Sequence, residues 1–162
     1  MKSFDLFIEG RWVPAKSGET FDAVNPSLGE PFARVAQGSR EDARRAMAAA
    51  EKAWKTWSRV PLWERADVCV RIAEVLESRK DLLADMLTTE VGKPRHSEAQ
   101  DEAQITPWFY RQAAELARYH EEPAFLGRDP QKRLTCIRRP RGVVAVITPW
   151  NFPTMIPSEY LP

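Results

Sequence analysis

The sequence has 162 residues, of which 24 are Lys or Arg and 23 are Asp or Glu, so the formal net charge is +1. A nearly neutral charge argues against binding of the whole molecule to nucleic acid or to an acidic surface. The composition, 43% hydrophobic and 29% charged, is typical of a soluble globular protein. No apolar run approaches the roughly 18 residues that a membrane-spanning helix requires. Two cysteines, Cys69 and Cys136, are too few for a disulfide framework. They favour reduced thiols and a cytoplasmic location, and Asp5 and Glu9 argue against a signal peptide.

The N-terminal part is predicted to be extended. Residues 6–13 form two short apolar stretches around Glu9-Gly10, and a glycine at this position is typical of a tight hairpin turn. We expect further short strands at 20–24 and 31–36, because turn-forming residues, including the pair Asn25-Pro26, separate these stretches.

Helical periodicity begins after Ser39, where Ser39 and Asp42 have the spacing of a capping box. Three more helices are predicted, one from Pro61, one capped by Asp81 and ending at Gly92, and one over 97–119 with a kink or break at Pro107. Three tryptophans are expected to pack between the first two helices: Trp54, Trp57 and Trp63.

The C-terminal part predicts a polar loop over 121–133, an exposed strand over 134–139 and a buried strand over 143–147. The last of these, Val-Val-Ala-Val-Ile, has no polar alternation, as expected for a strand buried on both faces of a parallel sheet. The fold class is therefore α/β. Ligands bind beyond the carboxyl ends of such strands, so residues 148–153 are the candidate site.

Asn151 is the residue of chemical interest in this segment, because it lies between Pro149 and Pro153 and between two large aromatic side chains. A rigidly held Asn amide is a neutral donor that suits the stabilisation of an oxyanion. From the residues alone, the commoner role for an Asn near proline is to close a turn.

Three segments together resemble the NAD(P)-dependent aldehyde dehydrogenase superfamily. The most specific is Gly142–Pro153, which contains Pro-Trp-Asn-Phe-Pro. The segment Glu90–Pro94 resembles the family's E-x-GKP stretch. Residues 7–12, followed by 24–26 and 29–30, resemble its N-terminal hairpin and the next strand. The order and spacing agree over essentially the whole chain.

The resemblance implies oxidation of an aldehyde to a carboxylic acid with NAD or NADP as cofactor, in a homo-oligomeric protein. In the family, a Cys thiolate attacks the aldehyde, a hydride passes to the nicotinamide and a Glu-activated water hydrolyses the thioester. Asn151 matches the family Asn that stabilises the oxyanion. Ile147, Thr148, Pro149 and Trp150 match the stretch that lines the cofactor cleft.

The resemblance also implies an N-terminal portion. The family's nucleophilic Cys, general-base Glu and cofactor-binding Lys follow the Asn151 segment, so residues 1–162 correspond to an incomplete Rossmann-like cofactor-binding domain without the catalytic domain. Residues 123–141 correspond to a loop and the strand of an oligomerisation arm. We therefore expect the chain alone to be inactive. Arg139 and Tyr160 depart from common family residues at positions that are not catalytic.

Other interpretations of the residues stay open. Cys69 lies on the apolar face of a predicted helix and Cys136 in an exposed strand, so neither is expected to act as a nucleophile. A non-catalytic helical scaffold module derived from the same fold is the alternative function.

His96 and His120 are far apart in the sequence, and no metal-ligand spacing is present, so we predict no metal site. A basic run is better explained as a solvated arm, paired with acidic residues elsewhere, than as a nucleic-acid site: Arg128, Lys132, Arg133, Arg138, Arg139 and Arg141.

Overall fold

The structure is a computed structural model and describes residues 1–119, 123–126, 128–129 and 131–162. The predicted loop at 121–133 lies partly outside these residues, and His120 lies outside them.

The α/β fold class is confirmed. Seven strands and five helices are described. The strands are β1 (Lys2–Phe4), β2 (Leu6–Ile8), β3 (Arg11–Val13), β4 (Thr20–Asn25), β5 (Glu30–Ala36), β6 (Ala124–Leu126) and β7 (Arg133–Thr135). The helices are α1 (Arg40–Trp57), α2 (Leu62–Ser78), α3 (Lys80–Val91), α4 (Gln100–Arg118) and α5 (Met155–Ser158), with a π-helical turn at Arg95–Ala99.

The predicted hairpin at 6–13 is confirmed as the antiparallel pair of β2 and β3. Glu9 and Gly10 both have positive φ angles, 55° and 76°, as the two central residues of a type I′ turn require. A second sheet has the order β1-β5-β4, with β1 parallel and β4 antiparallel to β5.

The helical core forms where small side chains let helices approach closely. Helix α2 packs on α4, and α3 packs against the π-helical turn and α4. The buried residues of this region are mostly alanines: Ala66, Ala73, Ala84, Ala99, Ala103 and Ala114. Of the predicted kink or break at Pro107, the break does not occur, because helix α4 continues through this residue; the kink stays a prediction. The face of α4 that includes Pro107 is buried, and this burial outweighs the loss of one backbone hydrogen bond.

The capping box at the start of α1 is confirmed and is tied to the rest of the chain. The backbone N–H of Asp42 donates to Ser39 Oγ at 3.3 Å, and the N–H of Ser39 donates to Asp42 Oδ2 at 3.0 Å. The Lys16 N–H donates to both carboxylate oxygens at 3.2 Å. Hydrogen bonds from the backbone and the hydroxyl of Ser39 are the main reason that the pKa of Asp42 is lowered to about 2. By contrast, the predicted cap at Asp81 is wrong, because α3 begins at Lys80 with no side-chain cap.

The end of α3 is confirmed at Gly92, which has a φ of 76°. A Cβ at this position would lie 2.9 Å from Pro26 Cγ. The left-handed backbone and the close approach both require glycine. The E-x-GKP segment therefore lies directly against the Asn25-Pro26 turn, although more than 60 residues separate them in the sequence.

Two predictions of buried apolar residues are wrong. Residues 143–147 form no strand, and their side chains are exposed, with Val144 at 66% and Ile147 at 94%. A parallel strand needs a neighbour for its hydrogen bonds, and the described residues provide none. Similarly, of the three tryptophans predicted to pack between α1 and α2, Trp57 and Trp63 are exposed and Trp54 is half-buried. Trp63 instead lies under the Arg118 guanidinium, 5.7 Å from the ring centroid.

The predicted exposed strand at 134–139 is observed over a shorter range, as β7. It pairs with β6, a strand that lies in the predicted loop. The side chains of β7 are all exposed, as predicted. Among the basic residues of this region, only Lys132 forms an ion pair with an acidic group in the described part of the chain, at 3.6 Å from Asp129. The described residues of this run are exposed, as expected for a solvated arm, and its pairing with acidic residues elsewhere in the fold stays a prediction.

We predict that the cap makes stability dependent on pH in the acid range. Because the folded pKa of Asp42 is about 2, below its unfolded value near 3.9, its stabilising effect is complete above about pH 4. That effect is lost as the pH falls from about 4 to about 2. The difference in free energy of unfolding between wild type and Asp42→Asn should shrink over this range, as measured by urea denaturation.

The control variants separate the cap from general helix effects. Ser39→Ala should cost about 1 kcal/mol at pH 7, because it removes an N-cap hydroxyl. Ser78→Ala, which removes a hydroxyl near the end of α2, should change stability by less than about 0.5 kcal/mol. A difference between wild type and Asp42→Asn that does not vary between pH 4 and 2 would contradict the assignment.

Candidate functional site

The site loop, which we define as residues 147–154, begins at the last residue of the exposed 143–147 segment and leads into α5. The side chains of Ile147 and Trp150 are exposed, at 94% and 79%. Asn151 is exposed and forms no hydrogen bond with the residues that the structure describes. From Phe152 onward the side chains are at least half-buried as far as Ser158.

Behind this loop lies a carboxylate that sequence reasoning missed. The side chain of Glu102 on α4 is completely buried and accepts hydrogen bonds from two other segments. Its Oε1 atom accepts from the N–H and the hydroxyl of Thr154, both at 2.9 Å, and from the N–H of Met155 at 3.1 Å. Its Oε2 atom accepts from Lys93 Nζ at 2.6 Å. Every oxygen of this carboxylate is therefore satisfied, as a buried charge requires.

Lys93 belongs to the E-x-GKP segment and is 11% exposed. Its ammonium group lies between two partners, the Glu102 carboxylate and the face of the Phe152 ring, whose centroid is 3.6 Å away. A cation over an aromatic face is attracted by the ring quadrupole, and the attraction strengthens when water is excluded. Lys93 thus links the end of α3 to the residue that directly follows Asn151.

The hydroxyl of Thr106 completes the cluster. It donates to the backbone carbonyl of Glu102 at 2.7 Å and lies 3.1 Å from the Thr154 hydroxyl. Ser158 is also buried and donates to the Met155 carbonyl at 2.6 Å. We call Lys93, Glu102, Thr106 and Thr154 the loop anchor.

The charge state of the anchor follows from these contacts. Burial raises the pKa of Glu102, but the hydrogen bonds from Lys93, Thr154 and Met155 act in the opposite direction and leave it below its ordinary value. Glu102 is therefore ionised at neutral pH and forms a true ion pair with Lys93. A sequence signal for it exists. Glu102 shares one face of α4 with the buried residues Ala103, Thr106 and Tyr110, so it is a charged residue on a face that packs inward.

Both cysteines lie outside the site loop. Cys69 is half-buried on α2, and burial raises the pKa of its thiol, which disfavours the nucleophilic thiolate. Cys136 is exposed next to β7.

No group of three or more His, Cys, Asp or Glu side chains with metal-binding geometry occurs among the described residues. The same residues contain no helix long and apolar enough to cross a membrane.

Comparison with known proteins shows the family of this chain. The model of the aldehyde dehydrogenase family matches residues 12–162. The 3-sulfolactaldehyde dehydrogenase of Pseudomonas putida is 41% identical over 96% of this chain and 32% of its own length. Succinate-semialdehyde dehydrogenase [NADP(+)] 2 of Schizosaccharomyces pombe is 35% identical over 91% of this chain and 30% of its own length.

The structural comparison agrees with the sequence comparison. The crystal structure of an NAD-dependent aldehyde dehydrogenase from Sinorhizobium meliloti superposes with a TM-score of 0.91 and is 34% identical. The superposition covers 98% of this chain and 32% of that structure. The chain thus spans about a third of the length of the relatives that it matches.

We predict that the anchor pair contributes strongly to stability. Lys93→Met should lower the free energy of unfolding by about 3–5 kcal/mol, because it leaves the buried Glu102 carboxylate without a counter-charge. Lys93→Met combined with Glu102→Leu should recover part of this loss, since neither charge then remains. Urea denaturation at pH 7 measures both effects.

The matched control is the exposed ion pair of Arg111 and Glu77, which joins α4 to α2 with contacts of 2.8 and 2.6 Å. Arg111→Met should cost no more than about 1 kcal/mol, because water screens an exposed pair. If Lys93→Met costs no more than Arg111→Met, the pair is not the anchor that its burial indicates.

Proposed function

Because the chain belongs to the aldehyde dehydrogenase family, we propose that it forms the N-terminal part of an enzyme that oxidises an aldehyde to a carboxylic acid with NAD or NADP. The match over residues 12–162 carries this proposal. One relative is named as NAD-dependent and another as NADP-dependent, so either cofactor fits. The helical scaffold alternative is not favoured, because the matches cover the strands, the helices and the site loop together.

Within this reaction, the proposed role of Asn151 is to donate its side-chain amide to the oxyanion that forms when a nucleophile attacks the aldehyde carbonyl. Two observations support the role. The amide is exposed, and in the described part of the chain no other group occupies it. The backbone that follows it is held by the loop anchor.

We propose that Ile147, Thr148, Pro149 and Trp150 contact the cofactor. Their chemistry fits a dinucleotide, because Ile147 and Trp150 expose apolar surface that suits an adenine ring. The Thr148 hydroxyl can donate a hydrogen bond to a phosphate oxygen. When bound, the dinucleotide accepts a hydride from the substrate carbon.

The remaining catalytic groups are proposed to lie outside these 162 residues. The raised pKa of Cys69 and the absence, within the described residues, of a His or carboxylate bonded to either thiol support this view. Residues 1–162 would then be part of the cofactor-binding domain, with 123–141 as an arm. The exposed apolar residues of 143–147 and of α1 fit such a part of a larger fold. A cytoplasmic location stays a prediction from the two unpaired thiols.

The role of Asn151 can be tested by joining this chain to the remaining two-thirds of the 3-sulfolactaldehyde dehydrogenase of Pseudomonas putida. Asn151→Ala should lower kcat by roughly 10²- to 10³-fold, as removal of one oxyanion donor does. KM for the cofactor should change much less. Reduction of NAD or NADP, followed by absorbance with a panel of aldehydes, measures both parameters.

The control is Asn25→Ala, because the side chain of Asn25 accepts one backbone hydrogen bond, from Ser27, and none from the site loop in the described part of the chain. This variant should keep kcat within about twofold. The 162-residue chain alone should show no turnover. Turnover that persists when Asn151, Cys69 and Cys136 are all replaced by alanine would contradict the proposed mechanism.

We further propose that the arm joins subunits. A two-stranded hairpin is at best marginally stable alone in water, and the pair of β6 and β7 exposes Phe125 and Leu134, with Ile137 just beyond β7. The chain should therefore sediment as a dimer or larger species, and Leu134→Lys should shift it toward the monomer. Leu116→Lys, at an exposed position of α4, is the control. A monomeric wild-type chain would remove the proposal.

A further inference from the structure

The ion pair of Lys93 and Glu102 lies directly behind the loop that carries Asn151. We propose that these two residues are positioning residues, which fix the direction of the Asn151 amide without touching the substrate. This inference rests on the proposed function, because it concerns the residue that would stabilise the oxyanion. It adds two residues, one from the E-x-GKP segment and one from α4, to the machinery of the site.

The residues on either side of Pro153 each contact one member of the Lys93–Glu102 ion pair. Phe152 directly follows Asn151, and its ring contacts the Lys93 ammonium group at 3.6 Å. Thr154 is three residues after Asn151, and its N–H and hydroxyl both donate to Glu102 Oε1 at 2.9 Å. Pro153 between them has a fixed φ angle. The backbone from Phe152 to Thr154 therefore has little freedom, and Asn151 is attached to its first residue.

The other side of Asn151 has no comparable support. Ile147 and Trp150 are exposed, and no side-chain hydrogen bond to residues 147–151 occurs in the described part of the chain. The orientation of the Asn151 amide must therefore come mainly from the anchored side. A catalytic donor misplaced by about 1 Å can lose on the order of 10²-fold in rate, so an anchor at this point has a direct chemical use.

The two charges are needed together. The Glu102 carboxylate accepts from Lys93 on one oxygen and from three donors on the other. Glu102→Gln keeps the shape but turns one of these acceptors into an amide NH₂ group, which cannot accept. Either the Lys93 contact or the contacts from Thr154 and Met155 are then lost, and those that remain go to a neutral amide oxygen, which is a weaker acceptor than a carboxylate. Lys93→Arg keeps a cation that can contact both the carboxylate and the Phe152 ring, whereas Lys93→Met keeps neither interaction.

The test uses the 162-residue chain and nuclear magnetic resonance. The readouts are the side-chain amide signals of Asn151, the indole signal of Trp150 and the hydrogen-exchange rates of the Thr154 and Met155 backbone amides. In Glu102→Gln we expect exchange at Thr154 and Met155 to rise by about tenfold or more. The Asn151 signals should shift and broaden, and exchange at Thr154 and Met155 should rise by a larger factor than exchange at Ala73 and Ala114 in the helical core.

A second and milder variant keeps the test decisive if Glu102→Gln unfolds the chain. Thr154→Val removes only the hydroxyl contacts to Glu102 and Thr106, and it should move the same signals in the same direction by a smaller amount. Glu77→Gln, in the exposed pair with Arg111, is the matched control and should leave the Asn151 signals unchanged. Lys93→Arg should keep them near wild type, and Lys93→Met should not.

The inference is overturned if exchange at Thr154 and Met155 rises while the Asn151 signals stay unchanged, because the anchor would then stabilise the fold without positioning the amide. It is equally overturned if neither Glu102→Gln nor Thr154→Val moves any of these signals, or if Glu77→Gln moves them as much. This test of the positioning role does not depend on turnover. The proposed function fails by a different result, an unchanged kcat in the Asn151→Ala enzyme.

Discussion

One buried carboxylate holds the C-terminal part of this structure together. Glu102 accepts hydrogen bonds from Lys93, which lies just after α3, and from the backbone at the start of α5. Without these donors the carboxylate could not remain ionised in a dry environment. Because the donors satisfy it fully, a loop with few apolar contacts of its own acquires a defined path. The rest of the site depends on that path.

The same region explains why segments that are far apart in the sequence belong together. Gly92 brings the end of α3 against the Asn25-Pro26 turn, and the next residue, Lys93, reaches Glu102 and Phe152. The E-x-GKP segment therefore contacts the N-terminal sheet through its glycine and the site loop through its lysine. A short motif with two neighbours is restricted at two consecutive positions for two different physical reasons, one steric and one electrostatic.

The parts of the fold that could be predicted from the sequence are those decided by local chemistry. The turn at Glu9-Gly10, the cap of α1 at Ser39 and the end of α3 at Gly92 all depend on residues within one turn of the backbone. The burial of residues 143–147 and of Trp57 depends on neighbours that the described residues do not supply, so pattern alone predicted it wrongly. Glu102 was missed because its donors lie 9 and 52 residues away.

The uncovered run at 143–147 also has a consequence for how the chain behaves in a concentrated solution. Five apolar residues, four of them β-branched and none charged, have the composition of segments that stack into cross-β aggregates. Arg138, Arg139 and Arg141 precede the run and Pro149 follows it. Charges and a proline at these flanking positions oppose stacking, through repulsion between copies and through a missing backbone donor. The arginines before the run and the proline after it thus have the position and the chemistry of gatekeeper residues, which disfavour association of exposed apolar segments.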